Sequence, residues 1–236
     1  MLANLPIFIT IIFALTTFAT LFLFYNVVRN ADTENTRKLA NPIFVGMSVW
    51  LVIQAILTYI GVYKADLDAI PPKIVLFGIL PNIIAIVFLF TTEKGKQFLD
   101  SLPLRQFTLL SIVRIPVELV LFWLFLNKAI PEIMTFEGRN FDILAGISAP
   151  IVAYFGFQNG KINKKMLWAW NICCLILLMN IVVIALLAAP VPFQKFTFDQ
   201  PNIAIINFPF SWLPTFIVPI VLLGHLTSIR KLMRQN

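Results

Sequence analysis

The stretch IFITIIFALTTFATLFLFYNVVRNADTENTRK, residues 7–38, decides the fold. Positions 7–28 carry no charged side chain, and Arg29, Arg37 and Lys38 follow in the next connection. About 20 apolar residues are enough for a helix to cross roughly 30 Å of hydrocarbon. Such a helix also satisfies its own backbone hydrogen bonds where there is no water to do so. The run therefore reads as a membrane-spanning helix with a basic connection behind it. Met1 to Pro6 lacks the positive start of a signal peptide, and the apolar run outlasts a typical signal-peptide core. The segment is expected to remain as the first span.

The rest of the chain has the same character. It is 59% hydrophobic and 12% charged, with 23 phenylalanines, whereas soluble domains run at roughly 45–50% apolar and about 25% charged. Mean hydropathy is +0.89. Apolar runs at 7–28, 43–63, 74–92, 107–127, 141–158, 167–189 and 211–229 predict an all-α integral membrane protein, a seven-transmembrane-helix bundle with no soluble domain. Basic residues orient it. Lys94, Lys96 and Arg105, then Lys161, Lys164 and Lys165, then Arg230, Lys231 and Arg234 repeat the trio of the first connection on one side. Lys64, Lys73, Lys128, Arg139 and Lys195 are spread thinly over the other. The positive-inside rule then places the N-terminus outside and the C-terminus in the cytoplasm, in a bacterial cytoplasmic membrane. The net charge of +7 reads as orientation and as contact with anionic lipid at the cytoplasmic face, not as a nucleic-acid surface.

Ionisable residues inside a bilayer cost about 2.5–3.5 kcal/mol each on insertion scales and normally face the bundle interior. Arg114 and Glu118 fall near the middle of the fourth span, four residues apart, which predicts an ion pair along one helix face. Gln54, Asn82 and Asn180, with Thr16 and Thr17, lie at similar depth in other spans. They are expected either to glue helices together or to complete one polar layer around the charged pair. Pro81, Pro116, Pro150 and Pro219 stand near the centres of spans three, four, five and seven. Each removes a backbone donor and frees a carbonyl one turn earlier, which predicts four kinks at mid-depth. In the fifth span, Asp142, Ala145, Ala149 and Ala153 with Gly146 form a narrow face suited to close helix packing. Just before it, Glu137, Arg139 and Asp142 gather three charges, read as a helix entry held by local salt bridges at the outer surface. The Phe-rich connection 190–210 suits a hairpin or a segment in the membrane interface, with a lid as the alternative.

Cofactor chemistry finds little support. Retinal needs a lysine in the last span, and residues 211–229 contain none. A bis-histidine haem needs two histidines, and His225, read as a satisfied interfacial residue, is the single one. Cys173 and Cys174 are adjacent in an apolar run and make neither a disulfide framework nor a metal site. HExxH and GxSxG are both absent, which sets a lipid-modifying enzyme last among the readings.

In topology the chain is similar to small transporters of the SWEET type, built as two parallel three-helix repeats around a linker helix. In that arrangement Gln54 and Asn180 occupy matching second helices, Pro81 and Pro219 match in the third, and the Arg114–Glu118 pair falls on the linker. Transport of a small solute, an ion or protons through a midplane polar site is the leading expectation. A sensor or assembly subunit, acting through a protein partner or as a homo-oligomer, is the alternative.

Overall fold

Apolar runs become helices, though not seven of equal length. The computed structural model describes Leu2, residues 5–157 and residues 162–234. Met1, Gln158 at the end of the fifth expected span, and Lys161 among the counted basic residues lie outside the described residues. In chain order the helices are α1 (Ile7–Arg29), α2 (Glu34–Lys38), α3 (Ala40–Tyr59), α4 (Val75–Thr91), α5 (Glu93–Ser101), α6 (Leu104–Leu126), α7 (Ile143–Phe155), α8 (Lys164–Leu187) and α9 (Leu213–Arg234). The fold is all-α, with no strand among the described residues.

Five helices, α1, α3, α6, α8 and α9, are long and apolar enough to cross a membrane, and α4 with α5 makes a sixth if the bent pair counts as one span. One expected span, 141–158, comes out short, whereas α4 ends where the expected span 74–92 does. Helix α7 has 13 residues, about 20 Å at 1.5 Å per residue, and so is too short to cross roughly 30 Å alone. Helix α4 stops at Thr92, where the chain turns by 91° into α5. The Thr92 hydroxyl accepts from the Gly95 amide (3.1 Å) and caps the new helix. A Cβ at Gly95 would stand 2.4 Å from the Leu89 carbonyl oxygen, so the tight corner requires glycine.

The centre of the bundle is α1, α6 and α9, joined through Phe13, Phe24, Phe107, Phe210 and Phe216. Thr16, Thr17 and Thr20 of α1 donate back to the carbonyls of Ile12, Phe13 and Thr16, so their polarity is absorbed within the helix. Helices α3 and α4 are peripheral, and Leu80–Thr91 buries none of its residues. The small face of α7 packs as its composition requires: Ala145, Gly146, Ala149 and Ala153 are buried. A Cβ at Gly146 would meet Ile115 Cγ1 at 2.8 Å.

Two of the four proline sites share one design. Helix α4 opens with a π-turn, Val75–Ile79, and α9 with another, Leu213–Ile217. A proline stands four residues before each turn (Pro71, Pro209) and another two residues after it (Pro81, Pro219). The wide turns face each other, so closely that a Cβ on Gly78 would lie 2.4 Å from Thr215 Cγ2. Carbonyls left without a helical donor by the prolines are taken by side chains. Phe77 O, one turn before Pro81, accepts from Gln54 Nε2 (3.2 Å). Thr215 O, one turn before Pro219, accepts from Trp50 Nε1 (2.9 Å) and Asn82 Nδ2 (3.0 Å).

The connection 190–210 forms no hairpin. It folds against the end of α6: Gln200 Nε2 donates to Ile130 O (2.6 Å), and the amides of Ile203 and Ala204 both reach Ala129 O. Asn202 and residues 204–207 are buried there.

Candidate buried polar site

Helix α6 passes through a 3-10 turn at Ser111–Val113 and resumes at Arg114. Ten residues from its start, or about 15 Å along the axis, Arg114 lies near the middle of α6. From there its guanidinium reaches three neighbours. Nη1 donates to Asp142 Oδ1 (2.8 Å) and to Cys174 O (3.4 Å), and Nη2 lies 2.7 Å from His225 Nε2. Nε is buried without a hydrogen-bond partner.

The expected Arg114–Glu118 pair is therefore not formed. Because α7 is short, its first turn starts deep in the bundle, and Asp142 presents its carboxylate to Arg114 from there. The expected surface cluster of Glu137, Arg139 and Asp142 separates for the same reason. Glu137 and Arg139 are exposed, whereas Asp142 turns inward.

Glu118 is held by Asn140 instead. Asn140 Nδ2 donates to Glu118 Oε2 (2.7 Å) and Met134 O (3.0 Å), while its Oδ1 accepts from the Asp142 amide (3.1 Å). At the far end, His225 Nδ1 lies 2.9 Å from Asn171 Oδ1, and Asn171 Nδ2 donates to Leu167 O (2.8 Å). These partners fix the imidazole. An amide oxygen facing Nδ1 requires a proton there, and Nε2 must accept from the arginine, so His225 is neutral with its hydrogen on Nδ1. The result is one connected chain, Glu118–Asn140–Asp142–Arg114–His225–Asn171, drawn from α6, the turn into α7, α8 and α9. Each member is at most 5% exposed.

The other predicted residues lie elsewhere. Gln54 and Asn82 join the second group, at the π-turns, where Tyr63 OH also donates to Gln54 Oε1 and the hydroxyls of Thr58 and Ser211 pair at 2.8 Å. Asn180 is exposed and donates to Arg139 O (2.8 Å). The single polar layer thus resolves into two separate groups. Pro81 and Pro219 belong to the π-turn group; Pro116 is half-buried two residues beyond Arg114, and Pro150 is exposed on α7. Reading the sequence missed the roles of Asn140, Asn171 and His225. Their only trace was a polar residue in or beside an apolar run, with nothing to show that the runs converge.

Two clefts are lined by residues close in sequence to members of this chain, Arg139 beside Asn140 and Trp168 before Asn171. One, of about 480 Å³, lies at the end of α6 among Pro131, Glu132, Gly138, Arg139, Asp199 and Gln200. The other, of about 260 Å³, lies at the basic end among Lys165, Trp168, Leu232 and Met233.

Residues 71–233 match the family model described as a domain of unknown function, DUF8737. The chain belongs to the DUF8737 family. The matched region contains the whole chain from Glu118 to Asn171, whereas Gln54 and Trp50 precede it. No curated protein and no solved structure matches this DUF8737 member.

Proposed function

We propose that the protein crosses a cell membrane seven times, the fifth crossing made by α7 together with the residues that lead into it, with its N-terminus outside and its basic end in the cytoplasm, and moves a small solute, an ion or protons past the buried polar chain. What supports this is the composition of that chain. Buried charges are expensive and normally serve a pathway, a relay or a switch. Here one permanent cation, Arg114, is paired with Asp142 and lies beside a neutral histidine, while a second carboxylate, Glu118, joins the same chain through Asn140. The group is electroneutral only when one carboxyl carries a proton.

The geometry supplies an exchange of partners. With a proton on Glu118, Arg114 is left to Asp142, as in this structure. Loss of the proton creates a second anion one turn along α6, facing a guanidinium whose Nε has no partner. Moving Arg114 from Asp142 to Glu118 would release the first turn of α7 and reopen the contact with His225. A packed bundle answers such a change by switching between discrete arrangements. The paired π-turns, in matching places on α4 and α9, suit two halves that rock against each other. The clefts beyond Arg139 and Trp168 are the approaches from either side.

Proton flux into vesicles tests the proton branch of this reading, in which Glu118 carries the proton. With the purified protein in liposomes holding a pH-sensitive dye and a clamped potential, flux above that of protein-free vesicles is expected. Glu118→Gln should return it to the protein-free level. No flux above lipid alone, or an unchanged rate in E118Q, would remove proton movement through Glu118 from the proposal.

A second reading, an assembly subunit, is favoured by one observation. Helix α4 lies at the rim with Ile84, Val87 and Phe88 more than half exposed, a face that suits a partner's helix. Recovery of a stable complex in mild detergent would support it.

A further inference from the structure

Between α4, α8 and α9 lies a crevice of about 170 Å³ lined almost wholly by apolar side chains, among them Ile83, Leu121, Met134, Leu178, Met179 and Ala185. Both ends of the α9 π-turn contribute, through Pro214 and Pro219. Neither proline has an N–H, and the carbonyl freed by Pro219, on Thr215, is already taken by Trp50 and Asn82. An occupant offering hydrogen bonds would find little to bond with. Water is disfavoured on the same ground, because apolar cavities of comparable size, about 150 Å³, stay dry and accept hydrocarbon such as benzene.

The way in is from the side. At the rim, Ile83 and Met179 are 39% and 44% exposed. They continue directly into the apolar outer surface of α4 and α8, at Ile84, Val87 and Val183. The floor is buried: Met134 is 1% exposed, Leu178 3% and Leu121 4%. We propose that this crevice binds a segment of one acyl chain of a bilayer phospholipid, which enters laterally between α4 and α8. The space suits about six carbons, the size of the benzene that comparable cavities admit.

The occupant would bear on the polar chain. Leu121 lies one turn from Glu118, Leu178 one turn from Cys174, whose carbonyl meets Arg114, and Leu222 one turn from His225. Met134 holds Asn140 through its carbonyl. The proposal goes beyond the transport reading and needs only that the bundle sits in a bilayer.

The test is labelling of the full chain in phosphatidylcholine vesicles containing a phosphatidylcholine with a diazirine at mid-chain. After irradiation, adducts are mapped by peptide mass spectrometry. Adducts on buried Met134 and Leu121 are expected in addition to those on exposed Ile84 and Phe88. In Ala185→Trp, which fills the crevice, the buried adducts should be lost while those on Phe88 persist. Labelling confined to exposed residues in the wild-type protein would overturn the proposal, whether or not A185W folds. So would buried adducts that survive in folded A185W. Because no step measures flux, the result is independent of whether the protein transports anything.

Discussion

Arg114 occupies a position from which one side chain ties together three other parts of the bundle. It holds Asp142 at the start of α7, the Cys174 carbonyl of α8 and His225 of α9. Breaking a buried pair by removing one partner costs about 3–5 kcal/mol, because the other charge stays buried. Arg114→Met should lower stability by about that amount, and adding Asp142→Leu should recover most of it, since an apolar pair of similar bulk is often neutral. Thermal unfolding of the detergent-solubilised variants measures both. The costly residues, Arg114 and Glu118, were legible in the sequence because charge in an apolar run is conspicuous. Their partners were not. The four-residue spacing pointed to each other, and it gave no warning that a short α7 would bring Asp142 inward to compete. His225 was equally hidden, since its pairing depends on how α9 crosses α6.

At the scale of elements, amides and prolines explain one another. Pro81 strips the donor from the Phe77 carbonyl, and Gln54, fully buried on α3, supplies one. Gln54→Leu leaves that carbonyl and the Tyr63 hydroxyl unpaired, a loss of about 1–3 kcal/mol for a buried group. In a Pro81→Ala background the restored amide can serve Phe77, so the same Gln54→Leu change should cost less. A double-mutant cycle on unfolding temperatures reads this coupling. The carbonyls left without a helical donor by Pro81 and Pro219 could be anticipated from the sequence alone. The π-turns that precede these prolines could not, because a widened turn depends on the facing helix: Gly78 lies against Thr215, and a side chain there would drive them apart. The corner at Thr92 falls where the expected span 74–92 ends, and capping and a glycine create it.

Over the whole molecule, long apolar helices surround a core in which most polarity is satisfied internally. The distribution of basic residues gives the bundle a charged end, where Arg230 and Arg234 grip Asp100 and Lys231 donates to Leu102 O (2.5 Å). These contacts tie α9 to α5. In the proposed function, neutrality of the buried chain requires one proton on the carboxylates, and Glu118, held by an amide and not by the arginine, is the group proposed to carry it. Difference infrared spectroscopy of the wild-type protein and Glu118→Gln in lipid vesicles tests this most directly. A protonated-carboxyl stretch that shifts in heavy water, disappears as the pH is raised and is missing from E118Q is the expected result. A wild-type spectrum without that band, or a band that persists unchanged in E118Q, would contradict it.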